Sequence, residues 1–120
     1  MNIDKDLVAA MASPLVLTIL ADGGSYGYAI LKRVRELSDG DLEWTDGMLY
    51  PLLHRLERLG HVSSTWGISE VGRRRKHYTI TPSGRATLAE RQEQWTVVAD
   101  ALRQVWQSAQ RPPLTAEGWV

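Results

Sequence analysis

The period of the apolar residues changes twice along this chain, and those changes limit the folds open to it. Up to Leu59 they recur every three or four residues, the spacing of helices with one buried stripe. Over His61–Trp66 the period drops to two, with Val62, Ser64 and Trp66 on one face, and Lys76–Ile80 alternates in the same way. Helical spacing resumes after Thr81-Pro82, an N-cap followed by Pro at the first helical position, and runs to about Ser108. The expectation is mainly α with a small β-hairpin: three helices, a two-stranded hairpin and one last long helix. With 120 residues there is room for one modest core, which excludes a Rossmann enzyme, an α/β-hydrolase or a barrel.

Two segments imitate something else. Leu7 to Ala21 has the apolar look of a signal peptide, but Asp4-Lys5-Asp6 is acidic where an export signal is basic, so it reads as buried helix. Gly23-Gly24-Ser25-Tyr26-Gly27 matches the nucleophile elbow G-x-S-x-G, which needs a strand before it. A helical pattern precedes it here, so it reads as a turn, with Ser25 capping the next helix. No triad, phosphate loop or paired-carboxylate cleft is present, and the chain is not expected to be an enzyme. The chain has no cysteine, which removes disulfides and thiolate metal sites and fits a reducing, cytoplasmic location. Its three His are scattered, without a spacing that converges on a metal, and no cofactor or membrane span is expected.

Within the first helical stretch, Ser13-Pro14 again reads as a cap and a first helical residue. Either a short arm helix precedes a main helix starting at Pro14, or one helix kinks there. A second helix carries Ile30, Leu31, Val34 and Leu37 on its apolar face and ends at Ser38-Asp39-Gly40-Asp41. An extended piece, Leu42–Trp44, leads to a third helix capped by Thr45, with Leu49, Leu52, Leu53, Leu56 and Leu59 on one stripe and Gly60 ending it in a left-handed cap. Its other side holds Tyr50, Pro51, His54 and Arg58, with Arg55 on the flank. The hairpin tip is expected to carry Arg73-Arg74-Arg75-Lys76.

This order of elements is a winged helix-turn-helix followed by a long C-terminal dimerisation helix. The expected division is an arm helix over 1–13, the winged domain over 14–81, the dimerisation helix over 82–110 and a disordered tail over 111–120.

Charge supports the same reading once it is divided. The whole chain balances fourteen basic against fourteen acidic residues. Residues 45–85 nevertheless hold seven basic and three acidic residues, a net of plus four, while the first 44 come to minus three and the last 35 to minus one. A basic half beside an acidic remainder suits a phosphate-facing surface. Tyr50 and His54 are candidates for base-edge or sugar contacts, Arg55 and Arg58 for phosphate or guanine, and Arg73, Arg74, Arg75 and Lys76 for the wing's contacts with the backbone or minor groove. Tyr50 has a second reading, packing beside Pro51. The competing class is a winged helix used as a protein-binding module.

On the last helix Leu88, Trp95, Val98, Leu102 and Val105 make a coiled-coil seam, with Arg91 in one apolar slot. The expected partner is a second copy, with Leu7, Val8 and Met11 of the arm packed across the seam; the alternative is that the helix folds over its own core. Five Trp with no Phe is an unusual aromatic choice. Trp95 reads either as dimer core or as a platform that stacks a flat hydrophobic ligand with Trp106 and Asp100 nearby.

Two long stretches then carry a family likeness. Gly47-Met48-Leu49-Tyr50-Pro51-Leu52-Leu53-His54-Arg55-Leu56-Glu57-Arg58-Leu59-Gly60 and Arg74-Arg75-Lys76-His77-Tyr78-Thr79-Ile80-Thr81-Pro82-Ser83-Gly84-Arg85 closely resemble the PadR family of transcriptional regulators, and Gly27-Tyr28-Ala29-Ile30 resembles its second-helix signature. His77 departs from the family's usual Tyr. The resemblance implies a homodimeric repressor whose winged domains bind a promoter, often its own, and release it when a phenolic or drug-like effector binds or when the cell's state changes; the dimer expected from the last helix would read a two-fold symmetric operator. The lone C-terminal helix is similar to the short subfamily, in which a multidrug-sensing member has a Trp lining a pore between subunits, and Trp95 lies at the matching place.

Overall fold

The computed structural model describes residues 1–110 and contains four helices and three strands among them. The expected tail over 111–120 lies outside the described residues. Helix α1 spans Lys5–Ala21 without a break. Of the two readings of this segment the continuous helix is the one observed, and there is no separate arm helix over 1–13. Asp4 supplies the cap that Ser13 was expected to supply, its carboxylate accepting from the Asp6 amide at 2.9 Å. Pro14 lies inside the helix, where Thr18 Oγ1 donates to its carbonyl at 2.7 Å.

The next segment corrects the turn expected around Ser25. Ser25–Tyr26 forms a short strand, β1, and Ser25 does not cap α2 (Gly27–Leu37), whose N-cap is Tyr26 with no side-chain bond. The sheet therefore has three strands in the order β1-β3-β2, all antiparallel, with β2 at Val62–Ile68 and β3 at Arg74–Ile80. Leu42–Trp44 is not a strand. Leu42 and Trp44 pack against the edge of the core instead, after Ser38 Oγ accepts from the Leu42 amide at 2.9 Å.

Helix α3 (Asp46–Arg58) ends as its sequence predicts. Gly60 has φ +79°, the His61 amide donates to the Leu56 carbonyl at 2.9 Å and the Gly60 amide to that of Glu57 at 3.0 Å, the paired bonds of a left-handed glycine cap. The chain then enters β2. Strand pairing extends to Ile68 opposite Arg74, further than the alternation suggested. Of the four cations expected at the hairpin tip only Arg73 lies in the connecting loop, where its amide donates to Ser69 Oγ at 3.1 Å; Arg74, Arg75 and Lys76 belong to β3.

Helix α4 (Pro82–Gln110) starts at the hairpin's base. Thr81 Oγ1 accepts from the Gly84 amide at 3.1 Å and donates to the Gly60 carbonyl at 2.6 Å, so one hydroxyl serves both the start of α4 and the end of α3. Gly84 is buried against the His61 carbonyl, and a Cβ there would overlap that oxygen.

Residues 1–89 form one unit with a single core. It is assembled from Val16, Leu17 and Leu20 of α1, Ile30 and Val34 of α2, the α3 stripe Leu49, Leu53 and Leu56, Val62 and Tyr78 of the sheet, and Leu88 at the start of α4. Each such side chain, once fully buried, contributes roughly 1.5–3 kcal/mol. The described part of the second unit is the remainder of α4, on which no residue from Glu90 to Gln110 is buried. Among the described residues no helix is long and apolar enough to cross a membrane.

Candidate nucleic-acid interface

A helix that enters a groove of DNA needs one face anchored and the other open, and α3 is divided in that way. Leu49, Leu53 and Leu56 are at most 2% exposed, while Gly47, His54 and Arg58 lie on the far side and are open to solvent. Asp46 in the first turn and Arg55 and Arg58 in the last suit the helix dipole.

The four α3 residues singled out from the sequence do not share one face. Tyr50 lies over Gly27, where a Cβ would come within 2.5 Å of the phenol oxygen, so its ring braces α3 against the start of α2 while 37% of the residue stays exposed. Neither sequence reading of Tyr50 anticipated that contact. His54 and Arg58 point outward. Arg55 stands on the opposite flank with Met48, Pro51 and Leu52, where it lines a groove of about 940 Å³ whose other walls come from α1 and Asp41–Trp44.

The basic run on the hairpin is likewise divided, here by the pleat. Arg74 and Lys76 share a face with Trp66: the guanidinium carbon lies 4.7 Å and the ammonium nitrogen 5.6 Å from the indole centroid. Arg75 is on the other face, 3.5 Å from the Tyr26 ring centroid, and Tyr26 meets His77 edge to face at 5.0 Å. His77, opposite Tyr26 in the ladder, thus packs as an aromatic residue.

Glu57 is the residue that sequence reasoning missed. It sits on the α3 flank next to the hairpin, accepts a hydrogen bond from Ser64 Oγ and lies 3.8 Å from the Lys76 ammonium. Its acidity between Arg55 and Arg58 was a signal, since Ser64, Trp66 and Lys76 share one ribbon face. A partly exposed pair of this length adds at most about 1 kcal/mol to stability, so its effect is chiefly to set the direction of Lys76. Tyr78 lies beneath, and burial raises its phenol above the ordinary value of 10.0, with Tyr50 and Glu57 adding to the shift.

The residues assigned to the seam separate too. Leu88 is 6% exposed and belongs to the core of residues 1–89, so it is already used inside its own chain. Val98, Leu102 and Val105 are 50%, 43% and 64% exposed, Trp106 is 56% exposed and Trp95 is partly covered. Helical geometry puts Trp95, Val98, Leu102, Val105 and Trp106 within an arc of about 100°. Asp100 is about 140° from Trp95 around the axis. Its carboxylate pairs with Arg103 at 2.7 Å, so it does not join the two indoles. In α1, Leu7 is 51% exposed, whereas Val8 and Met11 are partly covered, and Val8 lines the groove described above. Among the described residues no group of His, Asp and Glu is placed to hold a metal ion.

Comparisons with known proteins agree on one relationship. The model of the transcriptional regulator PadR-like family matches residues 16–90. The transcriptional regulator Rv3488 of Mycobacterium tuberculosis is 45% identical over 56 residues, which are 47% of this chain and 51% of that protein. The structure of a transcriptional regulator from Clostridium thermocellum aligns with a TM-score of 0.76 at 30% identity, over 83% of this chain and 97% of that one. That of a PadR family transcriptional regulator from Eggerthella lenta aligns at 0.67 and 35% identity, over 84% and 82%.

Proposed function

The chain belongs to the PadR-like family of transcriptional regulators, and from that membership we propose that it acts as a homodimer on double-stranded operator DNA and represses transcription there. The family and the relatives are regulators rather than enzymes. The observation that carries the DNA reading is the concentration of exposed cations on two adjoining elements: Arg58, on the face it shares with the exposed His54, on α3, and Arg73, Arg74 and Arg75 on the hairpin. In the proposed complex α3 enters the major groove and the hairpin follows the backbone into the minor groove. His54 and Arg58 meet base edges and phosphates, Tyr50 contributes its open edge, Lys76 faces phosphate, and Arg55 has the more peripheral place that its flank gives it.

The second subunit is proposed to cover the apolar stripe of α4. Val98, Leu102 and Val105 supply the seam around Trp95, and Leu7 with Val8 and Met11 of the partner's α1 packs across it. Leu88 is not included, because its own core takes it. Two recognition helices about 34 Å apart then meet successive major grooves of a two-fold symmetric site. The effector reading is confined to Trp95 and Trp106, whose indoles share a face and suit a flat hydrophobic molecule between subunits.

Fluorescence anisotropy with a labelled duplex from upstream of the protein's own gene tests the DNA reading. Sequence-selective binding whose affinity falls steeply with salt supports it, and no binding at low salt sinks it in favour of a protein-binding module. For the effector, flat aromatic cations are expected to quench Trp fluorescence in the wild type and much less in Trp95→Ala. Equal quenching in both removes Trp95 from the site.

A further inference from the structure

Trp66 has no role in the reading so far, yet it is a large apolar side chain left 58% exposed in the middle of the most basic part of the molecule. Its place in the ladder is directly opposite Lys76 and two pairs from Arg74, its next neighbour on the same ribbon face, which Glu57 of α3 also touches. The ring therefore has a cation on each of two neighbouring sites, and the outer one, Arg74, forms no ion pair with an acidic group among the described residues. Arg75, one residue along, leaves this face and rests on Tyr26 instead. A solvated arginine or lysine samples many rotamers and loses that freedom when it docks on a phosphate. A cation held over an indole has already lost part of it.

We propose that Trp66 is a positioning residue for DNA binding: it holds Arg74 and Lys76 on one face of the hairpin, aimed at the phosphates beside the groove that α3 occupies. Glu57 supplies the second constraint, because it fixes Lys76 from the recognition helix and so sets the wing cations in register with it. The inference rests on the DNA reading proposed above. It goes beyond that reading in giving an uncharged side chain control over where two charges point.

The test is a double-mutant cycle in DNA affinity on the full chain, with thermal unfolding followed in parallel. Wild-type binding is measured first: if there is none, the DNA reading falls and this inference with it. Given wild-type binding, Trp66→Ala is expected to weaken affinity about five- to tenfold while leaving the melting temperature and the salt slope unchanged, because no charge is removed. Trp66→Tyr, which keeps an aromatic face, restores most of the loss. In an Arg74→Ala, Lys76→Ala background the same substitution has little further effect, whereas in Arg75→Ala it weakens binding as much as in the wild type. Unchanged affinity in Trp66→Ala overturns the proposal. So does a loss of equal size in the background lacking both cations, which identifies Trp66 as a direct DNA contact instead.

Discussion

Residues 1–89 and residues 90–110 solve the burial problem in opposite ways. The first unit brings four helices' worth of apolar stripes and one face of a sheet onto a common core, with Val16, Ile30, Val34, Leu49 and Leu53 at 0% exposure. Along the rest of α4, Val98, Leu102, Val105 and Trp106 recur at similar spacing and stay between 43% and 64% exposed. The same pattern of residues is a finished interior in one place and an open face in the other. Helical periodicity in a sequence reports that a face is apolar, and the covering element has to be found elsewhere.

That contrast predicts a hierarchy of effects. Leu53→Ala opens a cavity in the completed core and is expected to cost about 2–5 kcal/mol, read by denaturant unfolding, whereas Val98→Ala changes the stability of the monomer by less than about 0.5 kcal/mol. Equal losses would erase the distinction between the two units. Val98→Asp combined with Leu102→Asp places two carboxylates in the proposed seam, and self-association measured by sedimentation is expected to weaken at least about a hundredfold, some 3 kcal/mol, with the fold of residues 1–89 retained. A dimer that survives both changes places the partner elsewhere. Arg74→Ala with Arg75→Ala is expected to lower the slope of log affinity against log salt by about 1.8, two phosphate contacts' worth, with thermal stability little altered. An unchanged slope removes the hairpin from the DNA.

The smallest expected effect concerns pH. Tyr78 is 1% exposed, and its phenol titrates above its ordinary value of 10.0 because burial disfavours the phenolate, assisted by Tyr50 and Glu57. The folded state then keeps a proton that the unfolded chain has lost, so this contribution is intact below pH 10 and fades as pH rises through the folded value. Tyr78→Phe should flatten the alkaline fall in stability; the same slope in both proteins would assign that fall to other groups.

Much of this architecture was legible in the sequence because it is local. The Gly60 cap, the Thr81-Pro82 start of α4 and the leucine stripe of α3 from Leu49 to Leu56 each depend on residues within a turn or two, and each is found where the spacing predicts it; Leu59, the last member expected of the stripe, is 54% exposed because the helix ends before it. What escaped is long-range. Ser25 and Tyr26 are too few to show an alternation, and they become a strand only because Tyr78 and His77, some fifty positions away, offer them an edge. The four consecutive cations read as one patch, but Arg73 stays in the loop and the pleat divides the other three between two aromatic rings on opposite faces. At the candidate interface, the spacing placed His54 and Arg58 outward, but the packing of Tyr50 on Gly27 and the latch at Glu57 are contacts between elements, to which periodicity is blind.

The Thr81 hydroxyl has a mechanical consequence. Because one side chain bonds both the glycine cap that follows α3 and the first turn of α4, the two helix ends share a single constraint, and neither can fray without releasing the other. Thr81→Val, which keeps the shape and removes the hydroxyl's two bonds, is expected to let both ends open together, read as faster amide exchange at Gly84 and at the cap around Gly60.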